Sequence, residues 1–577
     1  MNEDKEQKQI QLRALLAFGL CAAILFGYQY FMEKFGPPKP APKAAPAPAA
    51  ASAPAAAPAA ASAPPAAAPK APAARGRAQT KPAAAQAGEK DQTFIVETDT
   101  FLVALSNRGG VATSWTLKRY KDDIGKPLEL VNTTAAGETG YPFSLAFRDS
   151  PPPVDLNQAL FQAETPSGRL TGPVAVTFYW SNGNLAARKT FRFSKDSYVV
   201  EVESEVRQGA QAVPHLLAWR GGFGDAAVSD QARSVKTFYY DSAQAKVVWV
   251  EAKEAEKGPV RHPGNYLYAG IQDLYFAAAF LPAGGVTALE LETSAKEVAT
   301  SRQAKKQWFA GAAVGAAENR FRAYVGPKDL QLLRSIRPEL PQLVDFGFFS
   351  FIAYPLFLGL ELTYQRLVPN FGWAIVLLTI VINFALFPLK LKSMKSMKKM
   401  QRLQPLIKHI NDKYKSLPLR DSRRQDQNKE VMELYGKYGV NPLGGCLPML
   451  LQMPFFFAFY TVLTISIEMR QARWLWVPDL SSPEPFVIKI LPILMIATQF
   501  WYQKMTPATT ADPAQQKMMQ FMPLIMGFFF YSLSSGLVLY WLTGNLVGIA
   551  QQLFINRLPE PELDLEPAKR GRTKKQK

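Results

Sequence analysis

The sequence predicts an α+β membrane protein: an N-terminal anchor helix, a β-sandwich, and a C-terminal core of five membrane-spanning helices that carries a basic helical hairpin. Three observations predict it. Long apolar runs cluster beyond about residue 345, so the moderate overall hydrophobicity averages two different materials. Residues 92–335 instead carry short strand-like patterns broken by Gly, Asn, Asp and Pro. Of the formal net charge of +19, 12 charges lie in two short segments. Residues 390–439 hold 14 Lys/Arg against 5 Asp/Glu, and residues 557–577 hold 7 against 4, which sets both on one side of a bilayer by the positive-inside bias.

Residues 1–35 contain the first apolar segment, 14–32, with Tyr28, Tyr30 and Phe31 as an aromatic belt. No small-x-small cleavage site follows closely, so an uncleaved anchor is expected. Residues 36–91 are Ala/Pro-rich and form an extended tether, about 3.1 Å per residue in polyproline form.

Residues 92–343 form the β domain. Strands are expected at Phe94–Glu97, Phe101–Ser106, Val174–Trp180 and Tyr198–Glu203, with turns at Asn107–Gly110 and Ser181–Asn184. The domain has no nucleophile elbow, phosphate loop or metal cluster in its sequence, and a binding or scaffolding module is favoured over an enzyme. His215, His262 and His409 lie far apart, and two cysteines, Cys21 and Cys446, make disulfides no part of the fold. Neither a metal site nor a cofactor is expected.

Residues 344–366 are apolar but interrupted by Gly347, Pro355 and Gly359. Parity decides their placement. A span here would bring the basic hairpin to the β-domain side, against the positive-inside bias, so an interfacial amphipathic helix is expected. Residues 367–556 then form the five-span core, with spans near 371–389, 443–465, 486–503, 517–532 and 537–555 and the hairpin at 390–439. With the anchor this makes six spans, leaving both termini and the basic tail 557–577 in the cytoplasm. Met394, Met397, Met400, Leu403, Ile407, Ile410 and Tyr414 recur at helical spacing, as do Val431, Leu434, Tyr435 and Tyr438. This predicts a helical hairpin with one apolar seam, in which methionine is packing material. The basic runs read either as a solvated cytoplasmic face or as a surface that attracts RNA or anionic lipid.

At this point the residues resemble a known family. Phe371-Gly-Trp-Ala-Ile375, Phe387-Pro-Leu389, Leu403-Gln-Pro405, Asn441-Pro-Leu-Gly-Gly-Cys446, Gln452-Met-Pro454, Asp479-Leu480, Gly536-Leu-Val-Leu-Tyr540 and Gln551-Gln552 are similar to the YidC-type membrane protein insertases. Tyr324–Asp329 agrees, and the resemblance covers nearly the whole chain in its long, Gram-negative form. It implies an inner-membrane insertase and chaperone, not an enzyme, that inserts and helps fold membrane proteins without nucleotide hydrolysis. It further implies a mutarotase-like β-sandwich in the periplasm, used non-catalytically. The implied partners are nascent membrane proteins, the Sec translocon, the translating ribosome and the lipid bilayer, with no small-molecule substrate.

The resemblance also implies a hydrophilic groove open to cytoplasm and lipid. Thr379, Asn383, Gln452, Tyr540, Trp541 and Thr543 would line it, together with Asn545. Each of these is otherwise read as an ordinary interhelical hydrogen bond. Lys395, Lys398, Lys399, Arg402 and Lys408 of the hairpin, and Lys569, Arg570, Arg572, Lys574 and Lys575 of the tail, would contact the ribosome or targeting machinery.

This chain departs from the family at one place. The family's groove arginine falls five residues before the Pro-Leu pair, where this sequence has Asn383, an amide. Lys390 lies about 10 Å further along a helix, and its ammonium is expected to snorkel to water. A transporter is disfavoured, since neither inverted repeats nor a charged residue in the middle of a core span is found.

Overall fold

The computed structural model describes residues 85–148, 151–225, 234–283, 289–298, 307–316, 319–415, 423–440, 447–506 and 513–559. The anchor, nearly all of the tether, the run 441–446 and the tail residues Lys569, Arg570, Arg572, Lys574 and Lys575 lie outside the described residues.

The β domain contains a ten-stranded sheet and two five-stranded sheets, whose buried faces feed one apolar cluster. Alternation explains the burial. Phe101–Ser106 turns Phe101, Val103 and Leu105 inward, and Val199–Gln208 turns in Val200, Val202 and Val206. Val199–Gln208 pairs antiparallel with Leu185–Phe193 on one side and Asn319–Pro327 on the other, with Val200 opposite both Phe193 and Ala323. The turn after Ser106 needs its glycines: Gly109 has φ 73°, and a Cβ there would stand 2.5 Å from the Asn157 carbonyl oxygen. Below that turn Lys189 is fully buried and donates to the carbonyls of Gly109, Gly110 and Phe143 at 2.7, 3.2 and 2.8 Å. Burial pushes its pKa down to about 7, while three carbonyl acceptors match the three N–H groups of an ammonium.

A short helix, α1 (Thr133–Thr139), interrupts the strands, and α2 (Leu330–Ile336) ends the domain. The helical part follows: α3 (Ser350–Arg366), α4 (Phe371–Ala385), α5 (Phe387–Lys413), α6 (Arg423–Lys437), α7 (Leu447–Ile465), α8 (Ile490–Met505), α9 (Pro513–Phe530) and α10 (Ser535–Arg557). Helix α3 packs on α4 and α7, and α10 packs on α4 and α8. Among the described residues, α10 alone is by itself long and apolar enough to cross a membrane. Helices α4 and α5 pass that test together as a broken pair bent by 57°, and the apolar stretches Gln452–Ile465 and Gln520–Phe530 are shorter.

Three details differ from the sequence reading. The helix expected from 344 begins at Ser350, after Gly347 at φ 67°. The span expected at 371–389 ends at Ala385, because Pro388 has no N–H to continue the ladder and instead starts α5. The hairpin seam is split. Met400, Leu403 and Ile407 of α5 pack with Val431, Leu434 and Tyr435 of α6, whereas Met394 and Met397 pack with Ile555 at the end of α10. A single periodic stripe serves two neighbours because α5 outruns α6.

The loop 466–485 joins the two halves of the molecule. Arg470 and Asp225 form a buried ion pair at 2.9 Å, and Gln471 donates to the carbonyls of Lys121 and Asp122 at 2.9 and 3.0 Å. Asp479 accepts from the Gln471 and Ser481 amides and from the Ser481 and Ser482 hydroxyls, which folds the loop on itself. Buried Glu484 accepts from the amides of Ile490 and Leu491 at 2.6 and 3.0 Å, satisfying orphan donors at the start of α8.

Glu468 sits in the same loop, where burial, with Asp329 and Glu361 nearby, raises its pKa to about 8. A carboxyl whose folded pKa lies above its unfolded value binds its proton more tightly when folded. Its contribution is therefore full below about pH 4.5 and is lost as pH rises towards 8. Glu468→Gln is expected to flatten that decline, so that the stability gain over wild type is larger at pH 8 than at pH 5. Thermal unfolding of the full chain at the two pH values checks this, and an equal gain at both would refute it.

Candidate functional site

The apolar helices α4, α7, α8 and α10 carry a band of polar side chains whose partners decide what it can do. On α4, Thr379 is fully buried and donates to the Ile375 carbonyl at 2.6 Å. One turn on, half-buried Asn383 donates through Nδ2 to the Thr379 carbonyl at 2.9 Å. Both side chains thus bond back to their own helix, a local solution open to short polar residues within an apolar bundle. The interhelical partner expected for Asn383 is supplied by its backbone: its carbonyl accepts from Gln551 Nε2 at 3.0 Å.

Gln452 at the start of α7 donates to the Tyr540 hydroxyl on α10 at 2.8 Å, and the Tyr540 ring stacks on Phe459 at 4.3 Å. This pair links two of the sequence-predicted residues across helices. Trp541 turns away from it. Its indole donates to Gln499 Oε1 on α8 at 3.1 Å, and its ring meets Phe456 and Phe530. Thr543 donates to the Leu539 carbonyl at 2.8 Å, and Asn545 reaches the Met495 carbonyl and Thr498 hydroxyl on α8, each at 3.3 Å. The residues expected to share one lining therefore divide, Gln452 and Tyr540 on the α7 side and Trp541 and Asn545 on the α8 side.

Two residues not singled out for the site belong to this band. Buried Gln551 bridges Asn383 to Lys390, whose ammonium lies 3.1 Å from Gln551 Oε1 and 5.1 Å from the Tyr502 ring centroid. Lys390 does not snorkel outward: the 57° bend after Ala385 aims its stem at α10, where an amide oxygen and a ring face are on offer. Adjacent amides at 551 and 552 in an apolar helix were the available sequence signal.

In the hairpin, Lys398 donates to the Ile555 carbonyl at 2.8 Å, capping the C-terminal end of α10 and complementing its dipole. Lys399 and Arg402 are half-buried, while Lys395 and Lys408 are exposed on α5. Among the described residues no group of three or more His, Cys, Asp or Glu side chains could hold a metal ion.

Residues 363–562 match the family model described as 60Kd inner membrane protein, and residues 93–358 match that of the YidC periplasmic domain. The chain is 35% identical over 568 residues to a protein of Syntrophus aciditrophicus named membrane protein insertase YidC, covering 94% of this chain and 99% of that one. A protein of the same name from Pelobacter propionicus is 34% identical over 504 residues, covering 83% and 89%. A solved structure of an active YidC insertase aligns with TM-score 0.34 and 18% identity over 81% of this chain and 93% of that chain. The chain belongs to the YidC family of membrane protein insertases, inner-membrane proteins with a periplasmic domain that insert membrane proteins and are not enzymes.

Proposed function

We propose that the core works through a polar wall centred on half-exposed Asn383 and the Gln452–Tyr540 pair, with Thr379, Trp541 and Thr543 packed behind it, along which the polar tail of a substrate crosses part of the bilayer. The observation that carries this reading is the Gln452–Tyr540 hydrogen bond joining α7 to α10 inside otherwise apolar helices, with half-exposed Asn383 on α4. Loop 466–485, folded on Asp479 and docked by Arg470, closes the outer end. The energetics need no nucleotide. A span of about 20 apolar residues gains roughly 6–12 kcal/mol on insertion, and each charged tail residue costs about 2.5–3.5 kcal/mol at the bilayer centre. The end state is downhill, and a wall that keeps polar groups solvated part of the way lowers the barrier.

In this reading the chain spans the membrane six times with both termini cytoplasmic, α3 lies in the interface, and the mutarotase-like β-sandwich is a non-catalytic periplasmic module. The hairpin and basic tail meet the ribosome by salt-sensitive contacts, and the core acts alone or beside the Sec translocon. The test is protease protection of a short-tailed single-span substrate in cells depleted of their own insertase. Wild type is expected to insert it, Asn383→Leu to reduce insertion severalfold, and Asn383→Arg to restore it. Because, among the described residues, the Asn383 side chain bonds only within α4, the leucine variant is expected to fold. Equal insertion by Leu and wild type would remove Asn383 from the wall.

A further inference from the structure

We propose that the outer face of the β domain holds a binding site for a small zwitterion, of the class of a free amino acid or a short peptide. The inference owes nothing to the polar-wall reading. Its ground is the five-stranded sheet in which Leu289–Val298 pairs antiparallel with Val260–Gly264 and Gln307–Ala316. Thr293 of that strand points into the sandwich, where its hydroxyl meets that of Thr237 on the ten-stranded sheet at 2.6 Å. Strand alternation therefore turns Glu292, Ser294 and Lys296 to the opposite face. The outer face of an antiparallel sheet is ordinarily wet. Here α1 packs against it, and Glu292 is only 8% exposed. A cavity of about 250 Å³ lies there, lined by Arg220, Glu292, Ser294, Lys296 and, from the end of α1, Glu138 and Thr139. Drug-sized ligands take upward of about 300 Å³, so this space suits a smaller molecule. Glycine sets its walls: a Cβ at Gly311 would stand 2.8 Å from Arg220 Cγ, and one at Gly221, with φ 77°, 2.7 Å from the Thr139 hydroxyl.

The charges of this cavity are paired but held apart. Arg220 Nη2 stands 3.6 Å from Glu292, and Lys296 Nζ 4.0 Å from the Glu138 carboxylate. Elsewhere in the domain Lys118–Glu97, Lys236–Glu251 and Arg192–Glu203 close to 2.8, 2.9 and 3.0 Å. Lys296 also donates to the Glu138 carbonyl, and Arg261 reaches the second oxygen of Glu292 at 3.4 Å. Arg220 has less: among the described residues its buried Nε has no partner, and its contact with Glu292 is beyond hydrogen-bond reach. This pattern selects the charge of the ligand. A lone anion would face Glu138 and Glu292, and a lone cation Arg220 and Lys296. A neutral polyol entering between the pairs would separate buried opposite charges and return only dipoles. A zwitterion keeps every charge matched, with its carboxylate on Arg220 and its ammonium on Glu292. The carboxylate also supplies the acceptor that the guanidinium lacks. The Lys296–Glu138 pair then reads what lies beyond, a polar side chain or the next peptide group.

The experiment is calorimetric titration of the full chain in detergent with alanine, glutamine and dialanine as probes. At least one is expected to bind saturably at millimolar concentration. Tighter binding of an amino acid than of dialanine assigns the site to free amino acids, and the reverse assigns it to a peptide. The best probe is then compared with its N-acetyl form, which lacks the ammonium, and its C-terminal amide, which lacks the carboxylate. Each cap is expected to weaken binding about tenfold or more, the low end for losing a hydrogen bond to a charged group. Arg220→Gln and Glu292→Gln are expected to do the same to the uncapped probe. The capped probes use the wild-type chain, so they decide the matter even if either substitution prevents folding. Absence of saturable heat from all of the probes overturns the proposal. So does a capped form that binds as well as its parent, or glucose binding more tightly than any of them.

Discussion

Arg470→Ala is expected to destabilise the docked molecule by about 3–5 kcal/mol, the usual result of removing one partner from a buried ion pair. Both side chains are almost wholly withdrawn from solvent, at 3% and 0% exposure for Arg470 and Asp225. The guanidinium also lies 5.8 and 5.5 Å from the Tyr275 and Phe276 rings, so its loss removes packing as well as charge. Left behind, the Asp225 carboxylate would be buried beside Asp273, whose own pKa burial and the Asp225 charge already raise to about 7. Thermal unfolding of the full chain in detergent should fall steeply, and limited proteolysis should release the β domain from the helical core. Replacing both partners, Arg470→Leu with Asp225→Leu, is expected to recover much of the loss, because both charges of the buried pair are then gone. A single variant as stable as wild type would show that the loop is held by its other contacts.

That ion pair also marks where sequence reading stops. Strands such as Phe101–Ser106 and their glycine turns were legible because side-chain period and turn chemistry are local properties. The apolar helices were legible for the same reason, and the polar residues along them could be named. Their partners could not be. Arg470 and Asp225 are separated by 245 residues, and Lys390 and Gln551 by 161. Periodicity says that one face of α5 is apolar. It does not say that Met394 meets Ile555 while Leu403 meets α6. The bend after Ala385 was encoded in Pro388, yet its effect on where Lys390 points depends on α8 and α10 being in place. Local signals fix elements, and the site is a property of their assembly.

Gly372→Val is the second large effect expected, and it tests whether the outer end of the core is closed by packing. A Cβ at Gly372 would stand 2.2 Å from Trp474 Cδ1 and 2.5 Å from Trp474 Cβ, too close for a side-chain rotation to relieve. Trp474 cannot simply move aside. Its amide and that of Val477 exchange hydrogen bonds at 2.9 and 2.7 Å, and its ring packs on Trp373 and Trp476 at 5.6 and 5.7 Å. Overpacking of this kind typically costs about 1–3 kcal/mol, and here the cheapest relief is for the whole loop 466–485 to lift from the start of α4. The readout is chemical. In a chain with Cys21 and Cys446 replaced by serine, Val477→Cys occupies a site 1% exposed and is expected to resist a membrane-impermeant maleimide. Adding Gly372→Val should make that cysteine react severalfold faster, with Gly372→Ala in between. If labelling stays as slow as in the parent, the loop is held down by its other contacts, the Arg470 ion pair and the Gln471 hydrogen bonds among them, and packing of Trp474 on Gly372 does not close the outer end.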